Sequence, residues 1–109
     1  MSRKFARFAL AFVAIPALPV PYSNANADPA NGERLARLWC ASCHVVAPNQ
    51  TGASADVPTF EGIGRMPSFD RTKIAFFLLD PHPKMPNMSL SRIEASDLAD
   101  YIATLGSGR

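Results

Sequence analysis

Two cysteines and a histidine stand together in Trp39-Cys40-Ala41-Ser42-Cys43-His44, and the chain holds no other cysteine. Cys-x-x-Cys-His is the attachment pattern for a covalently bound haem. Each thiol can add to one vinyl group of a porphyrin, and two intervening residues let one turn of backbone present both sulfurs to one edge of the macrocycle. The next side chain is then an imidazole aimed at the metal, and neutral imidazole is a good iron ligand. The pattern thus predicts one haem c held by Cys40 and Cys43, with His44 as axial ligand. Other thiol chemistries fit less well. A thioredoxin-like pair needs a βαβ setting, and no strand pattern surrounds this one. A structural zinc site needs four N or S ligands, and the only other histidine, His82, sits in a Pro-His-Pro turn with no second ligand pair. A disulfide would close a tiny loop, stabilise little and leave His44 without a purpose.

Six-coordinate iron takes a second axial ligand, and the candidates lie in Pro81-His82-Pro83-Lys84-Met85-Pro86-Asn87-Met88. A thioether favours ferrous iron and raises the reduction potential. Met85 is the preferred donor, because Pro83 and Pro86 stiffen the segment around it. Met88 is the alternative, three residues on, and His82 would give bis-histidine ligation. Met66 also precedes a proline, but it lies early in the chain.

Helices must position these groups. Asp28-Pro29 reads as an N-cap followed by proline at the first helical position. Leu35, Leu38 and Trp39 then form an apolar stripe running into Cys40. Residues 45–68 read as loop, punctuated by proline and glycine. Within it, the Pro58 carbonyl is the expected acceptor for the Nδ1–H of His44, the contact that orients a ligating imidazole. Asp70 caps a middle helix running to about Asp80, with Ile74, Phe77 and Leu78 on one face, and Pro81 stops it. Ser91-Arg92-Ile93-Glu94 is a capping box for a last helix striped by Leu98, Tyr101, Ile102 and Leu105, and Gly106 is expected to close it in the left-handed region. Gly32 weakens the first helix, which close approach of the Leu98/Tyr101 face would explain.

The first 27 residues read differently. Arg3, Lys4 and Arg7 precede an apolar run, Phe8–Val20, and Ala25-Asn26-Ala27 has the small-x-small form of a cleavage site. This is the layout of a secretory signal peptide over residues 1–27, too short and too proline-interrupted for a membrane anchor. Cleavage after Ala27 leaves a domain over residues 28–109 with eight basic and nine acidic side chains, so the formal +2 of the whole chain belongs to the export signal. No basic block supports nucleic-acid binding, and no stable membrane span is expected after cleavage. So short a domain buries little core of its own, which a bound macrocycle would remedy.

With these pieces in order, the chain resembles the class I cytochrome c family, specifically short bacterial monohaem members. The likeness rests on Cys40-Ala41-Ser42-Cys43-His44, on Gly32 eight residues before it as the helix-crossing glycine, on Met85-Pro86 as the axial Met-Pro, and on Leu98 and Tyr101 in the last helix. It implies an all-α fold of three to five helices wrapped around one covalently bound haem c. The family often has an aromatic residue four positions after the crossing glycine; here it is Ala36, so Leu35 or Trp39 is expected to fill that space. The four-helix-bundle cytochromes c′ share only the pentapeptide and carry it near the C-terminal end.

The resemblance implies an electron carrier rather than an enzyme, exported to the periplasm, exchanging electrons with redox proteins of a respiratory or periplasmic chain. Alternatives are a dedicated haem c subunit of a periplasmic oxidoreductase complex, or a ligand-binding or peroxidatic haem protein. Lys84, Arg65, Arg71 and Lys73 are candidates for a basic rim around the haem edge, although residues 57–90 sum to only +1 and the last helix adds the acids Glu94, Asp97 and Asp100 to an expected solvated surface.

Overall fold

Capping residues set the first helix. In the computed structural model, which describes residues 8–19, 26–53, 56–80 and 84–108, Asp28 is extended and its carboxylate accepts the N–H groups of Ala30 and Asn31 at 3.0 and 3.3 Å. With Pro29 supplying a helical φ and no orphan N–H, α1 runs Pro29–Trp39. Three further helices follow: α2 (Phe60–Gly64), α3 (Arg71–Leu79) and α4 (Arg92–Gly106). No strand occurs among the described residues, so the fold is all-α. The apolar run over residues 8–19 is exposed and forms no helix, and no helix among the described residues is long and apolar enough to cross a membrane.

α4 is the hub, packed against α1, α2 and α3. Its start is the expected capping box: the Ser91 hydroxyl accepts the Glu94 N–H at 3.1 Å, and the Glu94 carboxylate accepts the Ser91 N–H at 2.8 Å. Leu98 and Ile102 are its most deeply buried large side chains, joined in the core by Leu35, Val46, Phe60 and Leu78. Each such aliphatic side chain contributes roughly 1.5–3 kcal/mol.

Gly32 lies where α1 crosses α4. A Cβ there would stand 2.6 Å from the Asp97 carbonyl carbon and 2.8 Å from Tyr101 Cβ, and would collide with the Asp97 carbonyl oxygen. The crossing face of α1 is therefore Gly32, Leu35 and Ala36, all buried. Leu38, expected on this stripe, is 60% exposed. Leu35 of the same stripe is buried, and the small residues beside it, Gly32 and Ala36, let the two backbones approach.

The structure departs from the sequence reading at three further points. Residues 45–68 are not all loop: Thr59 caps the short α2, its hydroxyl accepting the Gly62 N–H at 3.0 Å. Gly106 does not close α4 in the left-handed region. It is the last helical residue and abuts Gly64, where either Cβ would strike the other's backbone; the positive φ, 73°, falls at Gly108. Asp97, expected among the surface acids of α4, is 3% exposed. The middle helix does begin at Asp70, which accepts the Lys73 N–H at 3.0 Å, and ends at Leu79. Pro81, its expected stop, lies outside the described residues.

Candidate functional site

Cys40 ends α1, and a tight turn follows it, with the N–H groups of Cys43 and His44 both donating to the Cys40 carbonyl at 3.1 and 2.9 Å. That turn brings both thiols and the imidazole to one cavity of about 360 Å³, within the usual size range of a cofactor pocket. Trp39 comes with them from α1, Phe60 and Ile63 line it from α2, and Ile74, Phe77 and Leu78 from α3. Phe77 is partly exposed because its face turns to this cavity rather than to protein. Asp56 and Lys84 are its charged lining residues.

His44 is oriented by the loop. Its Nδ1 lies 2.6 Å from the Pro58 carbonyl oxygen. A carbonyl can only accept, so Nδ1 carries a proton, and in the neutral ring the lone pair is on Nε2. The ring packs against Phe60, centroids 5.5 Å apart, and Phe60 meets Tyr101 edge-on at 6.5 Å. The Tyr101 hydroxyl donates to the Val46 carbonyl at 2.6 Å. Burial, with the Glu33 carboxylate adding to it, pushes the Tyr101 phenol upward, so it stays a protonated donor.

One residue that sequence reasoning missed holds this loop together. The Gln50 amide donates to the carbonyls of Ala41 and His44 at 3.0 and 2.8 Å, and its Oε1 accepts the Val46 N–H at 2.8 Å. A lone glutamine in a polar loop carries no periodic signal, so nothing in the chain marked it. Phe60 N–H then donates to the Val45 carbonyl at 3.0 Å, fastening α2 to the same segment.

Burial separates the two thiols. Cys40 is buried and Cys43 exposed. Desolvation, and then the neighbouring Cys43, push the Cys40 thiol up to about 11.

Met85 and Met88 both line the cavity that contains His44. Met85 also packs against the buried core. His82 and Pro83 lie outside the described residues. Met66 does not line the cavity and is exposed. The expected basic rim is only partly assembled. Lys84 reaches the cavity, whereas Arg65 pairs with Glu61 at 2.8 Å and Arg71 with Asp100 at 3.2 Å. Arg71 lines a separate depression between α3 and α4, because Asp100 draws it there.

The site suits a flat, largely apolar cofactor with one metal. It offers two thiols, an imidazole held through Nδ1, two soft thioether donors and mostly apolar walls. Among known proteins, the chain is 61% identical over 79 residues to cytochrome c-552 of Bradyrhizobium diazoefficiens, an alignment spanning 72% of this chain and 76% of that protein. No family model and no solved structure matches it.

Proposed function

The chain belongs to the class I c-type cytochromes, small all-α haem proteins, and from that premise we propose that it carries single electrons through one covalent haem c held by Cys40, Cys43 and His44. The observation that carries this reading is the gathering of both thiols, an oriented imidazole and two methionines around one cavity. When bound, the haem supplies an iron that changes charge by one electron. Cys40 and Cys43 would hold it by thioethers, each sulfur bonding to a vinyl carbon while a proton is added to the adjoining carbon. His44 would ligate through Nε2, since Nδ1 is committed to Pro58. That hydrogen bond also keeps the ring from turning and raises its basicity as a ligand.

Met85 is the proposed second axial ligand and Met88 the alternative. Contact of Met85 with the core favours it, because a ligand already held in place loses less side-chain entropy on binding. Were His44 and one of these methionines both to hold the iron, the protein itself would occupy the places a substrate could take. The protein then acts through ligand identity and exclusion of water, which suits a carrier rather than an enzyme. The chain's own role in transfer is to keep the site rigid, so that little rearranges when the charge changes.

Export belongs to the same reading. Residues 1–27 are proposed as a signal peptide removed after Ala27, with residues 28–109 as the folded domain and the periplasm as its compartment. The onset of helical structure at Pro29 and the exposed run over residues 8–19 support that division. Redox proteins of that compartment would be its partners.

An absorption spectrum of the oxidised holoprotein tests the ligand assignment. Met85→Ala should remove the near-red sulfur-to-iron band while Met88→Ala keeps it; the reverse pattern assigns the ligand to Met88.

A further inference from the structure

Among the described residues, the most deeply buried charged side chain lies away from the cavity. Asp97 is 3% exposed and is the only buried charged residue among the described ones. Its two oxygens accept from neutral amides: Oδ1 from the backbone N–H of Asp28 at 2.7 Å, and Oδ2 from the Asn31 side chain at 2.7 Å. Among the described residues no cation pairs with it. The Arg34 guanidinium donates to Asn31 Oδ1 at 2.9 and 3.1 Å and so is linked to Asp97 through that amide. A buried carboxylate without a counter-charge is expensive to keep ionised.

The donor to Oδ1 is the nitrogen of the residue that follows the proposed cleavage site. We infer that removal of residues 1–27 turns the Asp28 nitrogen into an α-ammonium that forms a buried ion pair with Asp97, so that export processing itself completes the α1–α4 junction. The inference rests on the export reading above. Hydrolysis breaks the Ala27–Asp28 C–N bond; water supplies an oxygen to the new Ala27 carboxylate, and its protons complete the –NH₃⁺ of Asp28. The nitrogen is already 2.7 Å from the carboxylate, so the charge arrives where it is needed. A cation at a helix N-terminus meets the unfavourable end of the helix dipole. Two carboxylates oppose that penalty, Asp97 and the Asp28 side chain, which already caps the same turn.

The same geometry makes the junction sensitive to pH. An α-amino group has an ordinary pKa of about 7.7–8.0, and a carboxylate beside it raises that value. Its stabilisation is complete below the ordinary value and is lost as pH rises through the higher one. The other charged groups on the elements packed here are Asp28, Glu33, Arg34 and Arg37 on α1, and Arg92, Glu94 and Asp100 on α4. From α3, Arg71 is paired with Asp100, and the Tyr101 phenol is pushed above its ordinary 10.0.

The test uses holoprotein exported from a haem-attaching host. Intact mass fixes the N-terminus, and denaturant unfolding gives the folded-to-unfolded ratio. Four proteins are compared: the mature form, the form with one glycine inserted between Ala27 and Asp28, and each of these with Asp97→Asn. The insertion leaves Asp28 with a neutral amide and moves the ammonium one residue away. The inference expects Asp97→Asn to lower the ratio about tenfold more in the mature form than in the glycine form. It also expects the mature form's advantage over the glycine form to shrink between pH 7 and about 9.5. Should Asp97→Asn not accumulate, the pH-dependent gap between the mature and glycine forms decides alone. A mature product beginning at Asp28 with equal losses and no gap overturns the ion pair and leaves export standing. A shortened product beginning elsewhere overturns the cleavage site and with it the ion pair, and an uncleaved chain overturns export as well.

Discussion

Replacing Gln50 by glutamate, written Gln50→Glu, tests how the loop holds the haem-attachment turn. The two side chains have the same size and shape. Glutamate keeps the oxygen that accepts the Val46 N–H at 2.8 Å, but at neutral pH it cannot donate to the carbonyls of Ala41 and His44, now bonded at 3.0 and 2.8 Å. A lost hydrogen bond costs about 0.5–1.5 kcal/mol, and a partly buried partner left unsatisfied costs about 1–3 kcal/mol. Two carbonyls are stranded, so a loss of about 2–4 kcal/mol is expected. In a domain of this size that lowers the thermal midpoint by about 10 °C or more. The third contact, to the Gly52 carbonyl at 3.3 Å, is exposed, and water replaces it cheaply. Acid should return part of the loss, because a protonated carboxyl can donate one of the two missing bonds. The penalty is thus smallest below the ordinary glutamate pKa of about 4.3 and grows as pH rises through the higher folded value. Circular dichroism melts of the holoprotein from pH 4 to pH 8 read this out. A variant that melts with the parent, or a deficit that does not change with pH, would refute the role given to Gln50.

Gly32→Ala should destabilise the domain by about 1–3 kcal/mol despite the better helix propensity of alanine, because the new Cβ meets backbone that cannot yield; a stabilised variant in the same melts would mean that the helices do not cross as described. In the chain before haem attachment, a thiol alkylating reagent at neutral pH should label exposed Cys43 well before buried Cys40. The gap should narrow as pH approaches the Cys40 value of about 11, and equal labelling at pH 7 would contradict the burial.

Local signals made much of this molecule legible. Asp28-Pro29, Asp70 and the Ser91–Glu94 box name their own helix starts, because a cap acts within three or four residues of itself. The Cys40–His44 run names its chemistry for the same reason, and Pro58 was the expected acceptor in an otherwise irregular loop. What escaped depends on contacts distant in sequence. Asp97 looks like any surface acid until the N-terminus of α1 is laid over it. Gly106 looks like a helix stop until Gly64 is found against it. Gln50 matters only because the chain turns back toward Ala41 and His44. Ala36 stands where the family often has an aromatic residue, and Leu38 falls on the predicted apolar stripe. The crossing at Gly32 reverses their places, since it buries whatever lies on its own face whether large or small. Met85 and Met88 stand three residues apart and line one cavity; the contact of Met85 with the core, which favours it, is legible only once the chain is folded.

Covalent attachment is the claim on which the functional reading stands, and denaturing mass spectrometry of the exported protein tests it most directly. The account predicts a chain beginning at Asp28 that carries the added mass of one haem after acid-acetone extraction, and that loses it when Cys40 and Cys43 are both replaced by alanine. A chain of unmodified mass, or a haem that extraction removes from the parent protein, would contradict it.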